Sequence, residues 1–284
     1  MRHPALAALC LVGTGLLSAC GNGDADASRA LQSIDLIDET NLNDLMLTVA
    51  EPAEAVAYFR RGVADNPERL DLRRGLARSL IRGGQTTEGA GLWREIVADP
   101  GATNEDRVAF ADALIRTNDW DGAAAVLNTI PPTFETFDRY RLEAMVADAN
   151  QQWQKADSFY ETAVGLTTRP ASVLNNWGYS KLTRGDAAGA ERLFAEALRY
   201  DPNMFAAKNN AAMARGAQRN YTLPMVQMTQ TERAQLLHTL AVTAIKQGDV
   251  TTGRSLLQDA IDTHPQHFDV AVRALRALEA AGAG

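Results

Sequence analysis

The strongest constraint on this 284-residue chain is a repeat. Comparable stretches open near residues 36, 70, 104, 137 and 171, with steps of 34, 34, 33 and 34. A unit this short has too little apolar surface to form its own core, so successive units must stack. The clearest unit is "ASVLNNWGYSKLTRGDAAGAERLFAEALRYDPN", Ala171 to Asn203. Apolar residues recur with helical period from Val173 to Leu182 and again from Ala187 to Tyr200. Gly185-Asp186 separates the two runs as a helix end and turn require, and Asp201-Pro202 closes the second. Each unit therefore reads as two helices and a turn.

Other units carry the same marks. The unit from Leu70 has Leu76-Ala77, Gly84, Gly89, Trp93 and Pro100; that from Asn104 has Phe110-Ala111, Asn118-Asp119, Ala123, Leu127 and Ile130. From Phe137 come Ala144, Ala156, Tyr160, Ala163 and Pro170. Upstream, Ala55, Phe59, Gly62 and Pro67 mark a second helix, whose first helix, Leu36 to Val49, is weaker. The pattern resembles the tetratricopeptide repeat, or TPR. Gly178 and Ala190 stand at its small positions, Phe194 at its aromatic position, Ala197 at its second small position and Pro202 at its terminal proline. The resemblance implies an all-α fold, a right-handed superhelical solenoid of helical hairpins with about seven units spanning 36–267.

The sixth unit departs from the pattern. "FAAKNNAAMARGAQRN", Phe205 to Asn220, reads as a first helix, and "YTLPMVQMTQ" follows with Pro224 and no small-residue crossing. This segment is either a loop or a degenerate helix, with Leu223, Met225, Val226 and Met228 docked on neighbours or offered to a partner. A recognisable unit resumes at Ala234, after a step of about 29. Residues 268–284 read as an amphipathic capping helix and tail.

No phosphate loop, GxSxG or HExxH motif is present, and no catalytic site or cofactor is expected. His264 and His267 form an HxxH pair without a third ligand nearby, so no metal is expected; His238 lies on a helix face without an obvious partner. The formal net charge of −7 opposes a nucleic-acid partner, and no small-molecule substrate is indicated.

In TPR arrays the first helices line a concave groove. In this register Arg74, Arg78 and Arg82 stack on one helical face, and Arg116 and Arg141 follow in the next units. Arginine captures carboxylates bidentately, so this half is a candidate site for an acidic or C-terminal peptide segment. The competing reading pairs these arginines with Asp71, Glu68 or Asp112. Farther on the groove positions are Asn175, Tyr179, Asn209 and Met213, an amide-rich and then apolar surface for an extended peptide backbone. Asn176 and Asn210 occupy a position that is asparagine in many TPRs. Trp93, Trp120, Trp153 and Phe194 recur near second helices, with a spacing that fits core packing.

The N-terminus adds an address. Met1, Arg2 and His3 precede an apolar run from Ala5 to Leu17, shorter than the ~20 residues a membrane span needs. A signal peptide cut after Ala19, a retained short anchor and a lipoprotein signal all begin this way. Leu17-Ser18-Ala19-Cys20 resembles the bacterial lipobox, which implies removal of residues 1–19 and lipidation of Cys20. Gly21 follows in place of the aspartate that in many bacteria retains lipoproteins at the inner membrane, so the expected location is the periplasmic face of the outer membrane. Residues 20–35, rich in Gly, Asn, Asp and Ser, read as a flexible tether. The other cysteine, Cys10, falls in the removed segment, which leaves no disulfide.

Together, lipobox and repeats resemble the TadD-type TPR lipoproteins of tight-adherence (Flp) pilus assembly. "VLNNWGYSKLTRGDAAGAERLFAEALRYDPN" followed by "AAKNNAAMARG" carries the likeness. Type IV pilus pilotins are a second similar group. The resemblance implies an assembly factor that binds protein partners, a secretin or other pilus-assembly components, while its lipid holds the membrane. A general cell-envelope scaffold without a pilus role is the alternative.

Overall fold

The computed structural model describes residues 42–282, and all regular structure within them is α-helical. The helices are α1 (helical over 42–48 of the described residues), α2 (Pro52–Asp65), α3 (Leu70–Arg82), α4 (Thr86–Val97), α5 (Asn104–Arg116), α6 (Trp120–Leu127) and α7 (Phe137–Ala149). They continue as α8 (Trp153–Gly165), α9 (Ala171–Thr183), α10 (Ala187–Tyr200), α11 (Phe205–Ala217), α12 (Gln230–Lys246), α13 (Val250–Thr263) and α14 (Asp269–Gly282). Among the described residues no helix is long and apolar enough to cross a membrane. The lipobox, Cys20 and the tether lie outside the described residues. The chain divides into two compact units, one ending at Gly84 and one running from Gln85.

A single local device repeats along the chain. After the first helix of successive hairpins one residue takes a left-handed conformation: Gly84, Asn118, Gln151, Gly185, Arg219 and Gly248. Except after Arg219, the next residue caps the start of the second helix. Asp119, Asp186 and Asp249 accept the N–H of Gly122, Gly189 and Thr252 there, each meeting an otherwise orphaned donor. Five residues past the left-handed position stands a small buried residue, Gly89, Ala123, Ala156, Ala190 or Gly253. Its N–H donates to the carbonyl four residues back, closing the first helical turn. Nine residues past it, Trp93, Leu127, Tyr160, Phe194 and Leu257 are buried to within 3%. Full burial of such a side chain stabilises by about 1.5–3 kcal/mol. Close helix approach follows from small partners: a Cβ on Gly178 would lie 2.7 Å from the ring of Phe194.

In the unit ending at Gly84, Phe59 of α2 is fully buried and seats itself on Gly75 of α3. Asn43 of α1 is buried and accepts a hydrogen bond from the Tyr58 hydroxyl at 3.0 Å.

Two departures from the repeat have a common cause. α6 stops at Leu127, after eight residues, because Pro131 lacks an N–H and its ring would meet the Leu127 carbonyl. Arg139, nearly buried, then donates to the carbonyls of Pro131 and Phe134 and pairs with Glu143. In the sixth unit, residues 218–229 are not helical, so the segment after Asn220 is a loop, and α12 begins at Gln230, four residues before Ala234. Pro224 occupies the place held elsewhere by the small crossing residue. It cannot supply the N–H that closes the first turn. Asn220 instead accepts the N–H of Thr222, a tight turn in place of a helix cap. The loop is nonetheless fixed. Tyr221, Leu223 and Met228 pack on the core of α12 and α13, and Val226 packs with Leu198 and Ala207 of α10 and α11. Arg215 holds Thr222 and Glu191, and Gln247 joins Tyr221 to the Gly216 carbonyl. Met225 points fully into solvent.

Candidate peptide-binding cleft

The first helices α7, α9 and α11 bring together side chains some 30 residues apart in sequence, with a cleft of about 510 Å³ among them. Met145, Asp148 and Ala149 enter from α7; Asn175, Asn176, Tyr179, Ser180 and Thr183 from α9; Asn210 from α11. Trp120, Trp153 and Tyr160 of the second helices complete the wall. Apolar residues of α9 pack both on α10, through Leu174, and on α8, through Val173.

Asp148 organises one side. One carboxylate oxygen accepts from the Tyr160 hydroxyl at 2.8 Å and the other from Ser180 at 2.6 Å. Burial, reinforced by the charge of Asp148, pushes the Tyr160 phenol far above its ordinary range, so it remains a donor. The Asn210 amide donates to Asn175 at 3.0 Å, and the Trp120 indole donates to Asn118 at 2.9 Å. Beneath, Asp157 of α8 receives the Trp177 indole and Arg184, with Lys181 at 3.5 Å. Burial works to raise the Asp157 pKa, but the Arg184 and Trp177 hydrogen bonds and the charges of Arg184 and Lys181 outweigh it, and the group stays below the usual carboxylate range. Trp177 in turn stacks on Tyr160 at 6.1 Å. The wall between α8 and α9 is therefore cross-linked by side chains. The groups facing the cleft are amides, aromatic faces and one carboxylate, a set suited to holding an extended chain.

The expected groove residues divide. Asn175 and Tyr179 line the cleft, as do Asn176 and Asn210. Asn209 turns to α12, where it accepts from Thr239 at 2.7 Å, and its amide nitrogen lies 3.8 Å from the sulfur of Met213. Met213 is 36% exposed. Arg82 donates to the carbonyls of Met46, Leu47 and Ala50, satisfying the C-terminal end of α1. Arg116 and Arg141 share Asp112, at 2.6 and 3.2 Å, and Arg141 also reaches Asp138. Arg74 is partly buried and Arg78 is exposed. Asp71 pairs with Arg69, which holds its carboxyl below the usual range. Trp93 and Phe194 are core residues, whereas Trp120 and Trp153, expected in the core by spacing, stand in the cleft wall, because each opens its second helix seven residues before the buried position. Asp148 and Ser180 escaped the sequence reading. Their one signal was polarity at positions where adjacent units keep the first helix apolar, Ile115 and Leu182 for Asp148 and Ala113 and Val146 for Ser180. His264 stacks on Phe268, His267 pairs with Asp269, and His238 meets the edge of Phe268. Among the described residues no group of three side chains is placed to hold a metal ion.

Comparison with known proteins agrees with this architecture. A tetratricopeptide repeat model matches residues 47–103. No curated protein matches the chain. Among solved structures, a TPR protein from Parabacteroides merdae aligns over 90% of this chain and 100% of its own, with 12% identity and a TM-score of 0.52. A TPR protein from Thermus thermophilus aligns over 61% of this chain and 95% of its own, with 16% identity and a TM-score of 0.53. A chain of the Cut9–Hcn1 hetero-tetramer of APC/C aligns over 80% of this chain, with 13% identity and a TM-score of 0.57, and this chain spans 46% of it. At such identities the likeness is one of fold. In its left-handed turns, small crossings and buried second-helix side chains, the chain has the fold of a tetratricopeptide-repeat protein.

Proposed function

We propose that this chain is a protein-binding scaffold that takes an extended peptide segment of its partner into the cleft between α7, α9 and α11. The observation that carries the reading is the convergence of Asn175, Asn176, Asn210, Tyr179 and Trp120 on one concavity. Amides there pair with a backbone, and aromatic faces hold side chains. Arg82, Arg116 and Arg141 already serve contacts within the chain, so the amide and aromatic cleft is the principal recognition surface. The test is a photo-reactive amino acid at Tyr179, which is 51% exposed, with Arg78 as a second site. Adducts formed at Tyr179 in cells and identified by mass spectrometry support the cleft; adducts confined to Arg78 move the site to the arginine face.

The same proposal gives the scaffold a place. The lipobox-like Leu17-Ser18-Ala19-Cys20 supports a lipid anchor on Cys20 at the periplasmic face of the outer membrane. Resemblance to TadD-type lipoproteins supports a role in tight-adherence pilus assembly, with a secretin or another outer-membrane component as partner. Cys20→Ser should release a folded protein from the membrane fraction. Deletion that leaves surface pili and secretin multimers intact would remove the pilus role.

A further inference from the structure

We propose that the cleft is selective for a basic residue: a lysine or arginine of the bound peptide sits against Trp120 and Tyr179 with its charge on Asp148. The inference rests on the peptide-binding reading above and specifies its ligand.

Charge is the first argument. Near the cleft, Arg116 and Arg141 pair with Asp112 and Asp138, while Lys181 and Arg184 pair with Asp157 and Asp186. These cations and carboxylates balance. Asp148 is left over. Its hydrogen-bond partners among the described residues are the hydroxyls of Tyr160 and Ser180, which orient the carboxylate without cancelling its charge. An ionised carboxylate offers about four acceptor sites, so capacity for an ammonium or guanidinium remains. Partial burial strengthens the attraction relative to bulk water. An acidic side chain entering the same cleft would be repelled by that charge.

The aromatic rings give the second argument. The chain lays its own cations over Phe110, Tyr140, Phe159, Trp177 and Trp153, through Arg94, Arg139, Lys155, Lys181 and Arg184. No such cation covers Trp120 or Tyr179 among the described residues. Both rings line the cleft that holds Asp148. Met145, in the same lining, offers apolar surface for the methylene stem of a long basic side chain.

The test uses the full chain and four acetylated, amidated peptides, Ala-Ala-X-Ala-Ala, with Lys, Arg, Glu or Met at X. Binding is read from the indole N–H resonances of Trp120 and Trp153. The Lys and Arg peptides should shift these signals with roughly tenfold tighter binding than the Met peptide, and the Glu peptide should bind most weakly. Added salt should narrow the difference. Asp148→Asn should erase the preference. Tyr179→Ala, at an exposed position, should weaken all the peptides but the Lys and Arg peptides most, which narrows the preference. Equal binding of all four peptides, or tighter binding of the Glu peptide, overturns the basic selectivity while the groove reading stands. If no peptide moves either indole, both readings fall.

Discussion

Hairpin α9–α10 and the segment from α11 through residue 229 begin alike and end differently. Both open with a first helix that ends in a left-handed residue, Gly185 in one and Arg219 in the other. Both follow it with a polar side chain that accepts a backbone N–H, Asp186 or Asn220. The divergence comes four residues later, where α10 has Ala190 and the loop has Pro224. The Ala190 N–H donates to Asp186 at 2.9 Å, and proline has none to give. One residue thus decides whether the same turn leads into a helix. The loop is still no weak point by default, since its apolar residues pack on both flanking cores.

The largest effect expected from this comparison is at the aromatic position. Phe194→Ala should cost about 3–5 kcal/mol, measured by denaturant unfolding, because a fully buried ring is lost from a tight crossing. Met228, which stands at the corresponding place in the loop, is partly buried, and Met228→Ala should cost well under half as much. Equal costs would mean that the loop is packed as firmly as the helix it replaces. Next comes Arg215, which ties the loop to α10 through Glu191 and to Thr222. Arg215→Ala should cost about 1–3 kcal/mol and raise amide exchange over 220–229. Unchanged exchange there would show that the apolar anchors suffice alone.

A smaller effect is expected at the caps. Asp186→Ala should cost about 1 kcal/mol, while Asn220→Ala, which starts no helix, should cost less. The Gly189 N–H lowers the Asp186 pKa below its ordinary 3.8. The unfolded chain therefore takes up the proton first as pH falls. The contribution of Asp186 is full above pH 3.8 and is lost on further acidification; Asp186→Asn should flatten that part of the stability profile.

The smallest effect concerns His238 in the C-terminal helices. Burial lowers its pKa below 6.5. The unfolded state then binds a proton that the folded state refuses, so stability declines as pH falls below 6.5 and is full above it. His238→Gln should remove this decline. A stability curve that stays unchanged between wild type and variant would show that the ring is solvated in the folded state.

The sequence by itself determined the helical repeat and most of its core. Small residues such as Ala190, aromatics such as Phe194 and turns such as Gly185-Asp186 act within one hairpin, where helical period and proline or glycine chemistry fix the outcome locally. Even the loop was half legible, since Pro224 marked the break. Tertiary structure decided what the groove contains. The Arg141–Asp112, Asp148–Ser180 and Asn175–Asn210 contacts join residues 29, 32 and 35 apart. Each depends on how one hairpin is rotated against the next, and no periodicity within a hairpin encodes that rotation. Arginines that looked free in the sequence thereby acquired partners, and Trp120 and Trp153 left the expected core for the cleft wall. Among the described charged side chains around the cleft, Asp148 alone was left without an ionic partner, because ion pairing is settled by distances in space and not by spacing along the chain.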